Sequence, residues 1–170
     1  MGIAEAPGYY ESLKGLPLQG KTGDIVRGFM NGDDLPAFEE CYWTNLYKEY
    51  EGKDHEYTQA ELERDAPELH AEFARVQPST VITMGRHSTR YFLGDVDMEE
   101  VEALPWRTTF DGRAIVVWPV VHPAAGFHNP DIQAHITYGF QQLAVYFAGG
   151  IEARTLFDDP YAGEEDYGGG

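Results

Sequence analysis

Residues 114–123 read Ala114-Ile115-Val116-Val117-Trp118-Pro119-Val120-Val121-His122-Pro123. Eight apolar positions in a row, with no polar alternation, describe a strand covered on both faces, as in the centre of a mainly parallel sheet. Trp106 to Phe110 precedes it across Asp111-Gly112, a dipeptide suited to a tight hairpin turn. Further upstream, Ser79 to Met84 is a second β-branched buried strand ended by Gly85, and a short helix is expected from His87 to Leu93 with Gly94 as its stop. Downstream, Pro130 suits the first turn of a helix that turns Ile132, Ile136, Phe140, Leu143 and Phe147 toward the core before Gly149-Gly150.

The N-terminal half repeats the alternation. Met1 to Ala4 starts a strand, and Glu5 to Gly23, punctuated by glycine and proline, is expected as a long ordered loop. A helix opens at Thr22 or Gly23 and runs to Met30, and Cys41 to Asn45 is a short buried strand. Thr58 with Glu61 forms a capping box ahead of the apolar stripe Leu62, Ala66, Leu69, Phe73 and Val76. Pro67 implies either a kink in that helix or a fresh start with Asp65 as cap. Strands alternating with helices give an α/β domain with a mainly parallel sheet of about four strands, whose ligands bind beyond the carboxyl ends of the strands. Residues 1–150 are expected to form that single domain, followed by an acidic, glycine-rich, flexible tail at 151–170.

Composition bounds the function. The chain has 170 residues, 42% of them hydrophobic, enough for one domain with a sizeable core. No apolar run approaches the roughly 20 residues of a membrane span, and no basic start precedes a hydrophobic segment, so an intracellular, cytoplasmic protein without a membrane partner is expected. A single cysteine, Cys41, excludes an internal disulfide and any metal cluster held by four cysteines of one chain. The six histidines contain no His-Glu-x-x-His, and no metal site is expected. The net charge of −17, from 29 acidic and 12 basic residues, is opposite in sign to the usual footprint of a nucleic-acid binder. Net charge is a sum, however, whereas a binding face is local.

Three loops carry chemistry. The first holds Ala4-Glu5-Ala6-Pro7-Gly8 with Glu11, then Gly15-Leu16-Pro17-Leu18-Gln19-Gly20-Lys21-Thr22-Gly23. The second follows Thr44-Asn45, and the third is His122-Pro123-Ala124-Ala125 leading to Asn129-Pro130, with Pro78 and Val81 to Gly85 between them. In this order, over residues 2–148, the motifs resemble those of the uracil-DNA glycosylase superfamily, especially its thermostable, iron–sulfur-bearing family 4 branch. The resemblance implies a three-layer α/β/α fold and the hydrolysis of the N-glycosidic bond of uracil, or a related or modified pyrimidine, in DNA. The partner is then single- or double-stranded DNA, and the nucleotide is flipped into a pocket.

The residue types suit that chemistry, which must stabilise a sugar cation at one end and a departing base anion at the other. Glu5 and Glu11 are the candidate carboxylates, with exposed surface acids as the other reading. His122, at a strand end, is the candidate donor to the base oxygen, against a purely structural histidine. Asn45 offers the donor and acceptor that a pyrimidine edge requires, or else simply shapes a turn. Leu18, Tyr10 and Gly8 complete the candidate base pocket. Phe127 is the candidate wedge into DNA, or ordinary loop packing, and His128, Gly20, Lys21, Arg86 and Ser88 are candidate backbone contacts.

Two departures from the family stand out. Glu49 and Asp65 occupy positions where two cluster cysteines would align, so no cluster and no other cofactor is expected. Leu18 replaces the aromatic that stacks on uracil. These departures and the acidity leave a second reading, a module that keeps the glycosylase fold but only binds nucleic acid or a protein partner. Hydrolysis of free nucleosides is a weaker third.

Overall fold

The computed structural model describes residues 1–32 and 34–156. Five strands form one sheet in the order β2-β1-β3-β5-β4, with β1 at Gly2–Ala4, β2 at Trp43–Asn45, β3 at Thr80–Met84, β4 at Trp106–Phe110 and β5 at Arg113–Val120. The first four in that order are mutually parallel, and only β4 runs antiparallel, as the hairpin partner of β5. The mainly parallel sheet agrees with the expected α/β architecture, and β1 pairs along all three residues with β2 and through Gly2 and Ile3 with β3.

Side-chain alternation along these strands builds the layers. Ala4, Ile82, Met84, Trp118 and Val120 enter one core with Val26 and Met30 of α2 (Lys21–Met30) and Ile136, Phe140 and Leu143 of α6 (Pro130–Phe147). Ile3, Val81, Ile115 and Val117 enter the other, with Leu69 and Phe73 of α3 (Gln59–Val76) and Phe92 and Leu93 of α4 (Arg86–Leu93). Helices therefore cover both faces in a three-layer α/β/α arrangement, which is why the sequence of β5 is apolar without interruption. Pro119 is tolerated in β5 because β4 has ended at Trp106, opposite Val117, and the Pro119 carbonyl there accepts the Ala103 N–H at 2.8 Å.

Several local expectations are corrected. The loop after β1 contains a short helix, α1 (Tyr9–Lys14), none of whose side chains is buried. A further turn of helix, α5 (Met98–Val101), is capped by Asp97. β2 starts at Trp43 rather than Cys41, because Phe38–Glu40 forms a 3-10 turn whose Phe38 carbonyl accepts the Trp43 indole N–H at 2.9 Å. α3 begins at the Thr58–Glu61 capping box and passes through Pro67 as one helix. Asp65 caps nothing. Its carboxylate, 6% exposed, accepts the Lys48 N–H at 2.8 Å and both a 2.7 Å and a 3.0 Å bond from Arg64.

Contact with the domain continues past residue 150. Ile151 packs on the first core, Leu156 on the second, and Arg154 lies beside β4, its carbonyl accepting the Arg107 N–H at 2.6 Å. The remainder of the expected tail, 157–170, lies outside the described residues. Among the described residues no helix is long and apolar enough to cross a membrane.

Asp65 ties the loop after β2 to α3, and the Arg64 guanidinium holds its carboxyl below the usual carboxylate range. The stability it contributes is present above about pH 3.9, the unfolded value, and is lost as pH falls through the lower folded value. Asp65→Ala is expected to cost about 2 kcal/mol in urea unfolding at pH 7, and the gap between wild type and variant should narrow as the pH is lowered through the folded value of Asp65.

Candidate active site

Strand register sets one working edge. Ala4 pairs with Asn45, Met84 pairs with Val120, and the next residues out are Glu5 after β1, Gly85 after β3 and His122 two residues beyond β5. Glu5, Gly8 and His122 line one cavity of about 410 Å³ together with Tyr9, Tyr50 and Tyr57. Asn45 and Glu11 line an adjoining cleft of about 770 Å³ with Lys48 and Glu72. Pro7 and Tyr50 belong to both.

His122 is held by its neighbours. Its Nδ1 accepts the Ala124 N–H at 3.2 Å, so the proton of the neutral ring resides on Nε2. Burial pushes the imidazole below the usual histidine value, although the Glu5 and Glu11 carboxylates pull it upward. Desolvation wins, and the side chain is a neutral donor rather than an imidazolium. Gly85 makes room for it: φ is +93°, and a Cβ there would lie 3.3 Å from His122 Cβ. Any other L-residue would be strained at that angle and crowd the ring.

The two carboxylates are anchored differently. Glu5, about one-third exposed, stands 3.5 Å from His87 Nδ1. Glu11 folds back under the first loop, where Oε1 accepts the Gln19 N–H at 3.2 Å and Oε2 occupies space that a Gly8 side chain would need, 2.7 Å from its Cβ position. The wall beside Asn45 is an ionic cluster: Lys48 Nζ donates to Glu72 Oε2 at 2.6 Å and to Thr44 Oγ1 at 2.8 Å, and Tyr42 also donates to Glu72.

The remaining candidates are dispersed. Leu18 does not line either cavity; it is 5% exposed, packs in the core beside α2 and holds φ at +53°. Ser88 is fully buried and spends its hydroxyl on the Met84 and Gly85 carbonyls, so it offers DNA no side-chain contact. Tyr10 is exposed on α1, Gly20 is the N-cap of α2 and Lys21 its exposed first residue. Arg86, exposed at the start of α4, borders a separate cleft with His87 and Arg90. Phe127 and His128 are exposed on the turn that precedes α6.

Sequence reasoning missed Tyr50, Tyr57 and His87. The loop from Asn45 to Tyr57 was legible as chemically rich, but aromatics in a polar stretch carry no periodic signal that says where they point.

A profile of the uracil DNA glycosylase superfamily matches residues 1–144. The chain belongs to that superfamily. It is similar to the type-4 uracil-DNA glycosylase of Saccharolobus solfataricus, 29% identical over 148 residues that make up 84% of this chain and 68% of the relative. The type-4 enzyme of Sulfurisphaera tokodaii is 25% identical over 148 residues, 84% of this chain and 67% of its own. That of Archaeoglobus fulgidus is 25% identical over 161 residues, 92% and 79% of the two chains. The superfamily is one of hydrolases acting on N-glycosyl bonds, and its fold is the three-layer sheet described above.

An iron–sulfur cluster of the type-4 kind does not fit the residues present. One cysteine cannot supply four thiolates. At the two positions that the resemblance would give to cluster ligands, Asp65 is bound to Arg64 and the Lys48 N–H, while Glu49 lies 3.6 Å from Arg64 on the surface. Among the described residues no group of three or more histidine, cysteine, aspartate or glutamate side chains converges on a metal position.

With its folded value depressed, His122 favours the native state above about pH 6.5, and that contribution is lost as pH falls below it. Titration followed by histidine NMR is expected to show His122 still neutral at pH 6.5, with Nε2 protonated. An imidazolium at that pH would contradict the burial argument.

Proposed function

We propose that the protein is a monofunctional, cofactor-independent DNA glycosylase that hydrolyses the N-glycosidic bond of uracil or a related pyrimidine. The observation that carries this reading is a neutral His122 and the Glu5 carboxylate facing one cavity at the carboxyl edge of the sheet. A flipped nucleotide presents its Watson–Crick edge to Asn45, whose amide supplies both a donor and an acceptor. His122 Nε2–H donates to the base oxygen on which negative charge develops as the bond to C1′ breaks and its electron pair passes to the base. A neutral donor holds that anion without surrendering its proton. Glu5 orients water toward C1′ and accepts its proton, and Glu11 adds negative charge that offsets the sugar cation. Phe127 fills the space left by the base, while Lys21, His128 and Arg86 meet the phosphates, in a local reversal of the chain's acidic character. A DNA substrate sets the reaction inside the cell, in the cytoplasm, and the single domain of residues 1–150 carries the site residues.

The test is abasic-site formation on uracil-containing single- and double-stranded oligonucleotides. His122→Ala and Glu5→Gln are each expected to slow single-turnover release by about 10²-fold or more. Asn45→Ala is expected to weaken discrimination for uracil, and Glu11→Gln to slow release. Borohydride should trap no protein–DNA adduct, since hydrolysis by water forms no Schiff base. Release that survives all four substitutions overturns the site. Binding without release favours the non-catalytic module that keeps this fold.

A further inference from the structure

We infer that Tyr50 supplies the aromatic face on which the flipped base stacks, a specificity role that rests on the reading of the site as a base-releasing pocket. Among the described residues Tyr50 is the one aromatic side chain that lines both the cavity of Glu5 and His122 and the cleft of Asn45 and Glu11. A base whose edge meets Asn45 and whose oxygen meets His122 spans both compartments. It therefore passes against what they share, which is Tyr50 on the loop after β2 and Pro7 on the loop after β1. Sandwiching between aromatic and apolar groups is the general way a flipped base is held. Leu18, by contrast, is committed to the core.

The ring is prepared for this task. Tyr9 meets it edge to face, with centroids 6.3 Å apart and planes at 68°. Its chain neighbours are tethered: the Lys48 N–H to Asp65 at 2.8 Å, and the Glu49 carbonyl to the Tyr57 hydroxyl at 2.8 Å. Tyr57 is itself stacked on the buried Tyr47, with centroids 4.3 Å apart. Glu49 and Glu51 lie 3.6 and 3.7 Å from Arg64, which also binds Asp65. Side-chain ion pairs thus hold this loop against α3 and present Tyr50 to the pocket.

The experiment compares wild type, Tyr50→Phe, Tyr50→Leu and Tyr50→Ala. Single-turnover release is measured from a uracil-containing oligonucleotide. Binding is measured by anisotropy on the same oligonucleotide carrying 2′-fluorodeoxyuridine, which resists hydrolysis, and on an undamaged control. The Phe variant is expected within about threefold of wild type, whereas Leu and Ala lose roughly ten- to hundredfold in release and in uridine-probe binding, with control binding unchanged. Equal losses for Phe and Leu, or no loss for Leu and Ala, overturn the assignment. Should wild type release no base while Tyr50→Leu still weakens the probe, the glycosylase reading fails and the stacking role stands. Neither release nor probe binding in wild type overturns both.

Discussion

The parallel pairing of β3 with β5 is the contact on which the site depends. It aligns Met84 with Val120, and the Gly85 N–H closes the ladder on the Val120 carbonyl at 2.9 Å. Beyond that bond the two chains diverge, one into α4 and the other into His122. Only because Gly85 has no side chain can the imidazole rest against its backbone. A shift of one residue would exchange the two faces of β5, moving Trp118 and Val120 out of one core and Ile115 and Val117 out of the other. Register and catalytic geometry are thus held by the same apolar burial.

Electrostatics at this edge follow from burial more than from the number of charges. Two carboxylates pull His122 upward, yet desolvation prevails and keeps it neutral. The opposite balance holds at Asp65, where Arg64 and a backbone N–H outweigh burial and keep the carboxylate ionised. The net charge is −17, and among the described residues the buried Asp65 and the nearly buried Glu72 have named partners. The lysine and arginine side chains near the site are individually placed: Lys48 is bound to Glu72, whereas Lys53 borders the Glu5 cavity and Arg86 the next cleft.

The loop after β2 is held by ion pairs and hydrogen bonds of its own. In this chain Asp65, Arg64, Glu49 and Glu51 tie the loop to α3. Hydrogen bonds to a buried carboxylate are directional and local. They fix the backbone at Lys48, the Tyr57 hydroxyl holds the Glu49 carbonyl just before Tyr50, and Glu51 just after it lies 3.7 Å from Arg64.

The sequence by itself determined the α/β class, the interior position of β5, the capping box of α3, the first turn of α6 and the three loops that carry chemistry, because apolar runs and capping residues act locally. It also determined that a four-cysteine cluster is impossible. Tertiary structure alone decided that Glu5 and His122 share one cavity, that Asn45 and Glu11 share the next, and that Tyr50 joins them. It alone withdrew Leu18 into the core, closed Ser88 on the Met84 and Gly85 carbonyls and carried α3 unbroken through Pro67. These outcomes depend on contacts between residues distant along the chain, such as Asp65 with Lys48, and a side chain's direction in a loop follows from what packs against it rather than from its neighbours in sequence.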